Sequence, residues 1–235
     1  MKIVLFDLDD TLITSSCRNH ALMQICRKIA KLANKNPKQI FTQVINIWCK
    51  EKNPKVKYDW DSHLEKLCSQ LGIKKKFNYE AEIKRSLNKA KAFPDTIPVL
   101  KYLKAHNYKI YIITNGLKKY QLPIIRHLGL LKYISRVYSP YNGVLKPNPK
   151  IFKNQFNFKN IKLYIDDQLY QGIYLGKKIK SPTGLISRNY HGGLKKFIKK
   201  KLKSEARETK FHVSIKRVTP DYIIKDLRQV KKILK

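Results

Sequence analysis

Two aspartates, Asp7 and Asp9, directly follow a short apolar run, residues 2–6, near the start of the chain. In an extended chain, side chains two positions apart point to the same side, so both carboxylates are expected to face one pocket. A carboxylate nucleophile can accept a phosphoryl group to give an aspartyl-phosphate, which water then hydrolyses. A second carboxyl group nearby can protonate the leaving oxygen and afterwards activate that water. The alternative is a pair of aspartates that only stabilises a turn.

Polar residues with matching chemistry occur at three later points. Thr114 offers a hydroxyl, and the backbone N–H groups near Asn115 suit phosphoryl oxygens. Lys146 can neutralise charge on both nucleophile and phosphate, although it is one of 42 lysines. Asp166 and Asp167 are adjacent carboxylates, the ligand type preferred by the hard ion Mg²⁺. Each motif alone is ambiguous, and their order along the chain makes the signal specific.

The residues that flank these groups predict the strands that position them. Apolar runs at residues 2–6, 109–113 and 162–165 each end immediately before a polar group. Further strands are predicted at residues 136–139, 183–187 and 220–224. From residue 93 onward the runs alternate with helical patterns, which predicts an α/β fold with a doubly wound parallel sheet. Ligands bind beyond the carboxyl ends of such strands, so the polar groups are expected to converge there.

Residues 15–92 have a different pattern, in which apolar residues repeat at three and four positions. Asn36-Pro37 is typical of a helix start. Four helices without an intervening strand, the last at about 79–91, predict an all-α insertion. The chain is therefore expected to divide into a Rossmann-like core, residues 1–14 and 93–235, and an inserted helical unit, residues 15–92.

The formal charge of the 235-residue chain is +35, because 51 lysines and arginines face only 16 acidic residues. The strongest run is a basic insertion within the core at residues 189–212. There Leu194, Phe197 and Ile198 share one face of a basic amphipathic helix, and a surface helix docked on the sheet is the favoured interpretation. For the surface as a whole, a lysine-rich composition without a role is favoured over weak, nonspecific binding of nucleic acid, because arginine is scarce.

The four cysteines, Cys17, Cys26, Cys49 and Cys68, lack the spacing of a zinc site and are expected to be buried free thiols. No stretch of about 18 apolar residues occurs, so no membrane span is expected. Two aspartates interrupt the N-terminal apolar run, which argues against a signal peptide. A cytoplasmic protein is the resulting prediction, and its oligomeric state stays unknown.

With its motifs in this order, the sequence resembles the haloacid dehalogenase (HAD) superfamily over nearly its whole length. Residues 7–12 match the first motif of the family, Thr114-Asn115 the second, Lys146-Pro147 the third and Asp166-Asp167 the fourth. The helical insertion resembles the α-helical cap of the family, which closes over small phosphorylated substrates. Within the superfamily, the chain is most similar to archaeal-type phosphatases of the phosphoglycolate and glyceraldehyde-3-phosphate phosphatase sort.

The resemblance implies a role for each matching residue. Asp7 would be the nucleophile and a metal ligand, and Asp9 the general acid and base that also binds Mg²⁺ through its backbone carbonyl. Thr114 and the backbone near Asn115 would bind phosphate, and Lys146 would stabilise the charges. Dehalogenases of the family lack the second carboxylate, since no leaving oxygen needs a proton. Asp9 therefore favours phosphate-ester hydrolysis.

The fourth motif departs from the commonest form in the family, a Gly-Asp pair followed five residues later by Asp. If Asp167 is the metal ligand, Asp166 stands at the glycine position and Gly172 at that of the later acid. If Asp166 is the ligand, Gln171 stands at the later position. The flanking residues favour the first register and hence Asp167. Weaker Mg²⁺ affinity is expected from this departure.

The leading prediction is a Mg²⁺-dependent phosphatase that hydrolyses a small phosphorylated metabolite through an aspartyl-phosphate intermediate. The alternatives are a phosphatase acting on nucleic-acid ends, a phosphomutase of the same family, and a basic nucleic-acid-binding protein with a vestigial site. The sequence does not identify the substrate. Four polar residues of the helical insertion either line the pocket or face water: Arg18, His20, Lys57 and His63.

Overall fold

A computed structural model describes residues 1–153, 157–209 and 213–235 of the chain. Its six strands are β1 Lys2–Phe6, β2 Tyr108–Ile113, β3 Arg136–Tyr138, β4 Ile161–Asp166, β5 Thr183–Ile186 and β6 Tyr222–Ile224. They form one sheet in the order β3-β2-β1-β4-β5-β6, and every neighbouring pair is parallel. The predicted doubly wound α/β fold is confirmed.

The first strand lies at the centre of this sheet, which explains why its sequence is continuously apolar. Residues 3–6 are all buried, as expected for a parallel strand that is covered on both faces. Phe6 is in register with Ile112 of β2 on one side and with Ile165 of β4 on the other. The carboxyl ends of three strands therefore lie side by side.

Four α-helices occupy residues 15–92 of the described chain, as the periodicity predicts. They are α1 Ser16–Ala33, α2 Pro37–Lys50, α3 Trp60–Gln70 and α4 Tyr79–Arg85. The side chain of Asn36 caps α2 by accepting a hydrogen bond from the Lys38 amide, and Pro37 takes the first helical position. The fourth helix is shorter than predicted, because Ser86 ends it and a 3₁₀ turn, Leu87–Lys89, follows. The division into a core and an inserted unit at residues 15–92 stays a prediction.

One further helix leads into β2, and the remaining ones lie between or after the later strands. They are α5 Thr96–Ala105, α6 Lys118–His127, α7 Tyr174–Lys178, α8 Leu194–Thr209, α9 Ile215–Val218 and α10 Val230–Ile233. A π-helical turn, Leu169–Ile173, leads directly into α7. The basic segment forms α8, which docks through buried Ile198 against the π-helical turn. Residues 210–212 of the predicted basic segment lie outside the described residues.

Three of the four cysteines are buried, as expected from the sequence, and one is not. Cys17, Cys26 and Cys68 are buried free thiols, whereas Cys49 is only half-buried. The difference arises because Cys49 lies near the carboxyl end of α2, beside exposed Lys50. None of the helices in the described part of the chain combines the length and apolarity that a membrane span needs.

Candidate active site

The predicted site residues converge at the carboxyl ends of the three central strands. Asp7 follows β1 directly, and its amide donates to the carbonyl of Ile165 in β4 at 2.8 Å. Asp166 is the last residue of β4, and Asp167 follows it. Thr114 follows β2, and its amide donates to the carbonyl of Tyr138 at 3.0 Å. Parallel pairing with matched register thus brings together residues that are more than 150 positions apart in the sequence.

Three carboxylates form the centre of the site. Asp7, Asp166 and Asp167 each offer an oxygen, and these oxygens all lie within 4.8 Å of one another. We call these three residues the carboxylate cluster. Asp7 and Asp166 are buried, and Asp167 is partly exposed to the adjoining cavity. An all-oxygen donor set with one open side fits Mg²⁺, which keeps several of its water ligands when bound to proteins.

Lys146 is the single lysine that the structure places inside the cluster, among the residues described. Its Nζ atom donates to Asp7 Oδ1 at 2.7 Å and to Asp166 Oδ2 at 2.8 Å. The loop that carries it is fixed by Asn115, whose Oδ1 accepts from the Lys146 amide at 2.8 Å. The predicted second and third motifs are therefore in direct contact. One ammonium group leaves the three carboxylates with excess negative charge, which a divalent cation would offset.

Burial and mutual repulsion perturb the ionisation of the cluster. Desolvation, together with repulsion from Asp166 and Asp9, raises the pKa of Asp7 to about 7, although Lys146 opposes the change. Desolvation and the charges of Asp166 and Asp7 likewise raise the pKa of Asp167 well above its usual range. Carboxylates held this close and this deeply bind protons unless a cation stabilises their charge. The cluster therefore has the electrostatic character of a cation site.

Asp9 faces the same cavity as Asp7 but has separate partners. Gln121 Nε2 donates to Asp9 Oδ2 at 2.6 Å, and Arg18 Nε lies 2.9 Å from Asp9 Oδ1 in an ion pair. Burial raises the pKa of Asp9, and Arg18 and Gln121 oppose that change. The Asp9 carboxylate lies outside the carboxylate cluster. This separation gives the two N-terminal carboxylates different environments.

The second predicted motif lies at the cavity, and its two side chains have different contacts. Thr114 Oγ1 accepts from the Gly116 amide at 2.9 Å, which shapes the turn after β2. Asn115 Nδ2 donates to Gln171 Oε1 at 2.6 Å, so its amide side chain links three loops. A Cβ atom on Gly116 would lie 2.1 Å from Gln121 Nε2. Glycine is therefore required at this position for Gln121 to reach Asp9.

The fourth motif contains an interlocked pair of residues. Asp166 is fully buried; its Oδ2 accepts from the Tyr164 hydroxyl at 2.8 Å and its Oδ1 from the Gln168 amide at 2.9 Å. A Cβ atom on Gly172 would lie 1.9 Å from Asp166 Cγ. The Asp166 carboxylate thus fills the space that a side chain at position 172 would need. The two departures from the expected motif are physically linked, and both Asp166 and Asp167 join the cluster.

A cavity of about 230 Å³ opens over these groups. Its floor contains Asp7, Asp9, Thr114, Lys146 and Asp167, and its opposite wall comes from the helices between β1 and β2. Half of the residues in that wall are aromatic: Trp48, Tyr58, Trp60 and Tyr79. Trp48 and Trp60 stack with their ring centroids 6.0 Å apart.

The four polar residues of the helical segment that were candidates for lining the pocket have different contacts. Arg18 lines the cavity and pairs with Asp9. His20 contacts Gln24 Nε2 at 3.0 Å. Lys57 Nζ donates to the Trp48 carbonyl at 2.6 Å, and the buried His63 ring contacts the Lys57 carbonyl at 3.0 Å. Arg18 is therefore the one of these four that the structure places at the cavity.

Sequence reasoning missed several residues that hold the site together. Gln121 and Tyr164 hydrogen-bond directly to the predicted aspartates. Arg188 Nη2 donates to the carbonyl of Thr11 at 3.0 Å and pairs with buried Asp95, so it braces the loop after Asp9. None of these belongs to a short motif. The usable signal is Gly172, which stands five residues after Asp167, where the commonest form of the motif has an acidic residue.

A family model described as haloacid dehalogenase-like hydrolase matches residues 1–163. A glyceraldehyde 3-phosphate phosphatase from Pyrococcus furiosus is 27% identical over 212 residues, which cover 78% of this chain and 79% of that protein. A protein of the same name from Methanocaldococcus jannaschii is 27% identical over 201 residues, which cover 77% of this chain and 79% of that protein.

Solved structures share the same fold. A HAD phosphatase from Thermococcus onnurineus has a TM-score of 0.75 and 25% identity, covering 100% of this chain and 98% of that chain. The putative HAD-hydrolase YfnB from Bacillus subtilis, solved with magnesium, has a TM-score of 0.65 and 19% identity, covering 100% and 98%. An L-2-haloacid dehalogenase from Xanthobacter autotrophicus has a TM-score of 0.66 and 16% identity, covering 99% and 98%. The last two likenesses concern the fold alone.

Proposed function

Since the chain belongs to the haloacid dehalogenase-like hydrolases, we propose that it is a Mg²⁺-dependent phosphatase acting on a small phosphate monoester through an aspartyl-phosphate on Asp7. One observation carries this proposal. Lys146 Nζ lies 2.7 Å from Asp7 Oδ1, and the Asp166 and Asp167 carboxylates lie beside them under a cavity. Nucleophile, countercharge and cation ligands thus meet at one point.

The reaction divides into two steps. In the first, a carboxylate oxygen of Asp7 attacks phosphorus while the bond to the substrate oxygen breaks, and Asp9 gives its proton to that oxygen. In the second, Asp9 takes a proton from water, whose oxygen attacks phosphorus and releases inorganic phosphate and the free Asp7 carboxylate. Burial raises the pKa of Asp9, which favours the protonated form that the first step requires.

Asp7, Asp166 and Asp167, with the backbone carbonyl of Asp9, are the groups that would hold Mg²⁺. The ion would supply charge neutralisation, so that an anionic phosphate can approach an anionic nucleophile. Lys146, which donates to Asp7 Oδ1 at 2.7 Å, stabilises the charge on Asp7. Backbone N–H groups near Asn115 and the Thr114 hydroxyl are proposed to bind phosphoryl oxygens.

Asp9 also supports a phosphate ester over a halide as the substrate. A halide leaves as an anion and needs no proton, whereas an alkoxide leaving group does. Asp9 lines the cavity at a distance from the carboxylate cluster and is held by Gln121 and Arg18. Such a placement suits proton transfer to a leaving oxygen better than metal binding by its side chain.

The dimensions of the cavity favour a small substrate. A volume of about 230 Å³ lies below the range of roughly 300–1,000 Å³ that is common for drug-sized ligands. The relatives from Pyrococcus and Methanocaldococcus are named glyceraldehyde 3-phosphate phosphatase. Glyceraldehyde 3-phosphate and similar short phosphate esters are therefore the substrates proposed here. A nucleic-acid end is disfavoured, because the aromatic helical wall covers the site.

The test is phosphate release from a panel of esters, with and without Mg²⁺. The panel includes glyceraldehyde 3-phosphate, phosphoglycolate, a hexose phosphate and a 5′-phosphorylated oligonucleotide. Fastest release from a two- or three-carbon ester, and only with Mg²⁺, is the expected result. Preference for the oligonucleotide, or isomerised hexose phosphate without phosphate release, would replace this proposal with an end-processing phosphatase or a phosphomutase respectively.

A further inference from the structure

The basic helix α8 reaches the active site through one acidic side chain. Glu205 lies on the inner face of α8, and its side chain is only 12% exposed. Its Oε1 accepts from the Leu169 amide and its Oε2 from the Tyr170 amide, both at 2.9 Å. These amides open the π-helical turn that follows Asp167, so Glu205 binds backbone groups two and three residues beyond a proposed metal ligand.

Consecutive amides of this loop are held by two carboxylates. The Gln168 amide donates to Asp166 Oδ1, and the next two amides donate to Glu205. The carbonyl of Gln168 accepts from the Ile173 amide at 3.0 Å, which closes the turn. The loop carrying Asp167 is therefore fixed by the cluster on one side and by α8 on the other.

The remainder of α8 supports this contact. Ile198 is buried against Leu169 and Ile173, the first and last residues of the π-helical turn. Lys201 Nζ lies 3.7 Å from Glu205 Oε1 and helps to offset the charge of the buried carboxylate. An acidic residue in the most basic stretch of the chain thus contacts the loop that follows Asp167.

We infer that Glu205 is a positioning residue, through which the basic helix holds Asp166 and Asp167 in the arrangement that binds Mg²⁺. This inference rests on the proposed function, because it concerns the affinity for the cation of that site. It assigns a role to a segment whose lysines suggest only a surface charge. Most lysines of the described part of α8 are exposed, whereas Glu205 lies on its inner face and contacts the loop.

The experiment compares Glu205→Gln with the wild-type protein and with Glu65→Gln. The first variant removes the charge and leaves one acceptor oxygen for two amide donors. The control removes the same charge from an exposed glutamate of α3. Amide exchange is measured by NMR without Mg²⁺, so that its result is independent of the proposed activity. In Glu205→Gln, the Leu169 and Tyr170 amides are expected to exchange about tenfold faster, as for a lost helix cap.

The second readout is the Mg²⁺ concentration that gives half of the Mg²⁺-induced rise in melting temperature. Loss of a residue that orients metal ligands costs about tenfold or more in affinity, so a midpoint about tenfold higher is expected. The kcat at saturating Mg²⁺ is expected to stay within about twofold, because Glu205 contacts no reacting atom.

Unchanged exchange of the Leu169 and Tyr170 amides would contradict the inference that Glu205 holds this loop. Faster exchange with an unchanged Mg²⁺ midpoint would reduce Glu205 to a stabilising contact and would also overturn the inference. A wild-type protein whose melting temperature and hydrolysis ignore Mg²⁺ would instead overturn the proposed function. The exchange rates, measured without the ion, would even then decide whether α8 holds the loop.

Discussion

The two walls of the cavity differ in chemistry and in how they are built. The floor, from the ends of the strands, contains the carboxylate cluster and Lys146, which are locked by short hydrogen bonds. The opposite wall, from the helices between β1 and β2, is aromatic and packs through ring contacts such as Trp48 against Trp60. Directional bonds fix reacting groups precisely in space, whereas apolar packing tolerates changes of shape. The floor is therefore suited to chemistry, and the helical wall to selecting a substrate.

The largest expected effect comes from removing the proposed nucleophile, Asp7, on the floor. Asp7→Asn keeps the size of the side chain but cannot form an acyl phosphate, so kcat is expected to fall by at least about 10³-fold. Phosphate release under saturating Mg²⁺ is the measurement. Glu65→Gln is the control: it removes one charge from an exposed side chain that does not line the cavity, and less than about threefold loss is expected. Equal losses in both variants would remove Asp7 from its proposed role.

The second-largest effect is expected when the Asp166 carboxylate on the floor is displaced. In Gly172→Ala the new Cβ meets Asp166 Cγ at 1.9 Å, so the Asp166 carboxylate must leave Lys146. Misplacement of about 1 Å can cost about 10²-fold in rate, and a loss of that order is expected in kcat/KM. The overpacking should also cost about 1–3 kcal/mol in the free energy of unfolding, measured by denaturant titration.

A second glycine in the same segment is the control for this effect. In Gly176→Ala the Cβ meets Thr183 Cγ2 at 2.3 Å, away from the carboxylates. A comparable loss of stability, about 1–3 kcal/mol, is expected with activity nearly retained. If the two variants lost activity equally, the pairing of Asp166 with Gly172 would have no catalytic meaning.

The third prediction concerns the charge of the floor as the pH changes. The pKa of Asp7 is raised to about 7 in the fold from a usual value of 3.8, so the folded state binds a proton that the unfolded chain has lost. Between about pH 4 and pH 7 the metal-free protein is therefore expected to lose stability as the pH rises. Thermal melts across this range should show a falling melting temperature, and Asp7→Asn should flatten the slope.

Mg²⁺ should reverse that dependence, because protons and the cation compete for the same oxygens. The Mg²⁺ midpoint, read from the shift in melting temperature, is expected to fall as the pH rises through about 7. A midpoint independent of pH between 5.5 and 8 would mean that the ion does not bind to Asp7.

The fold could be predicted because its main signals are local. The apolar run of residues 2–6 predicts β1, and Asn36-Pro37 predicts the start of α2. Each signal spans only a few residues, and both predictions are confirmed. The end of α4 was less predictable: a helical pattern continues to residue 91, but the chain turns at Ser86. There the chain contacts α1, since the Ser16 hydroxyl donates to the Lys89 carbonyl at 2.7 Å, and such a contact is absent from the periodicity.

The site could be predicted most directly where a residue stands at the end of a strand. Asp7, Thr114 and Asp166 follow apolar runs, so the sheet topology brought them together as expected. Gln121 and Glu205 lie within helices, and nothing local distinguishes them from surface residues. Their function depends on which loop the helix packs against, and that is a property of the assembled fold.

The fourth prediction alters the helical wall and sharpens its contrast with the floor. Trp48→Ala enlarges the cavity, so kcat/KM for a three-carbon ester relative to a hexose phosphate is expected to fall about tenfold. The single-turnover rate of the chemical step on the smaller ester should change much less, because Trp48 does not touch the carboxylates. Trp48→Phe, which retains an aromatic ring, serves as the control and should shift the ratio less. A variant that lost most of its activity on both esters without changing this preference would show that Trp48 contributes to the chemical step and not to substrate selection.

The smallest effect is expected where charge is greatest, on the outer face of α8. Lys196, Lys199 and Lys200 are exposed, whereas Lys146 is buried between two carboxylates. Exposed charges are screened by water and salt, so changing these three lysines together to Gln should alter kcat/KM by less than about twofold. Retention on a nucleic-acid column should fall and lose part of its salt dependence. A large loss of activity with the triple variant would show that the basic face takes part in binding substrate. The floor and the helical wall would then not be the only surfaces of the described structure that contribute to activity.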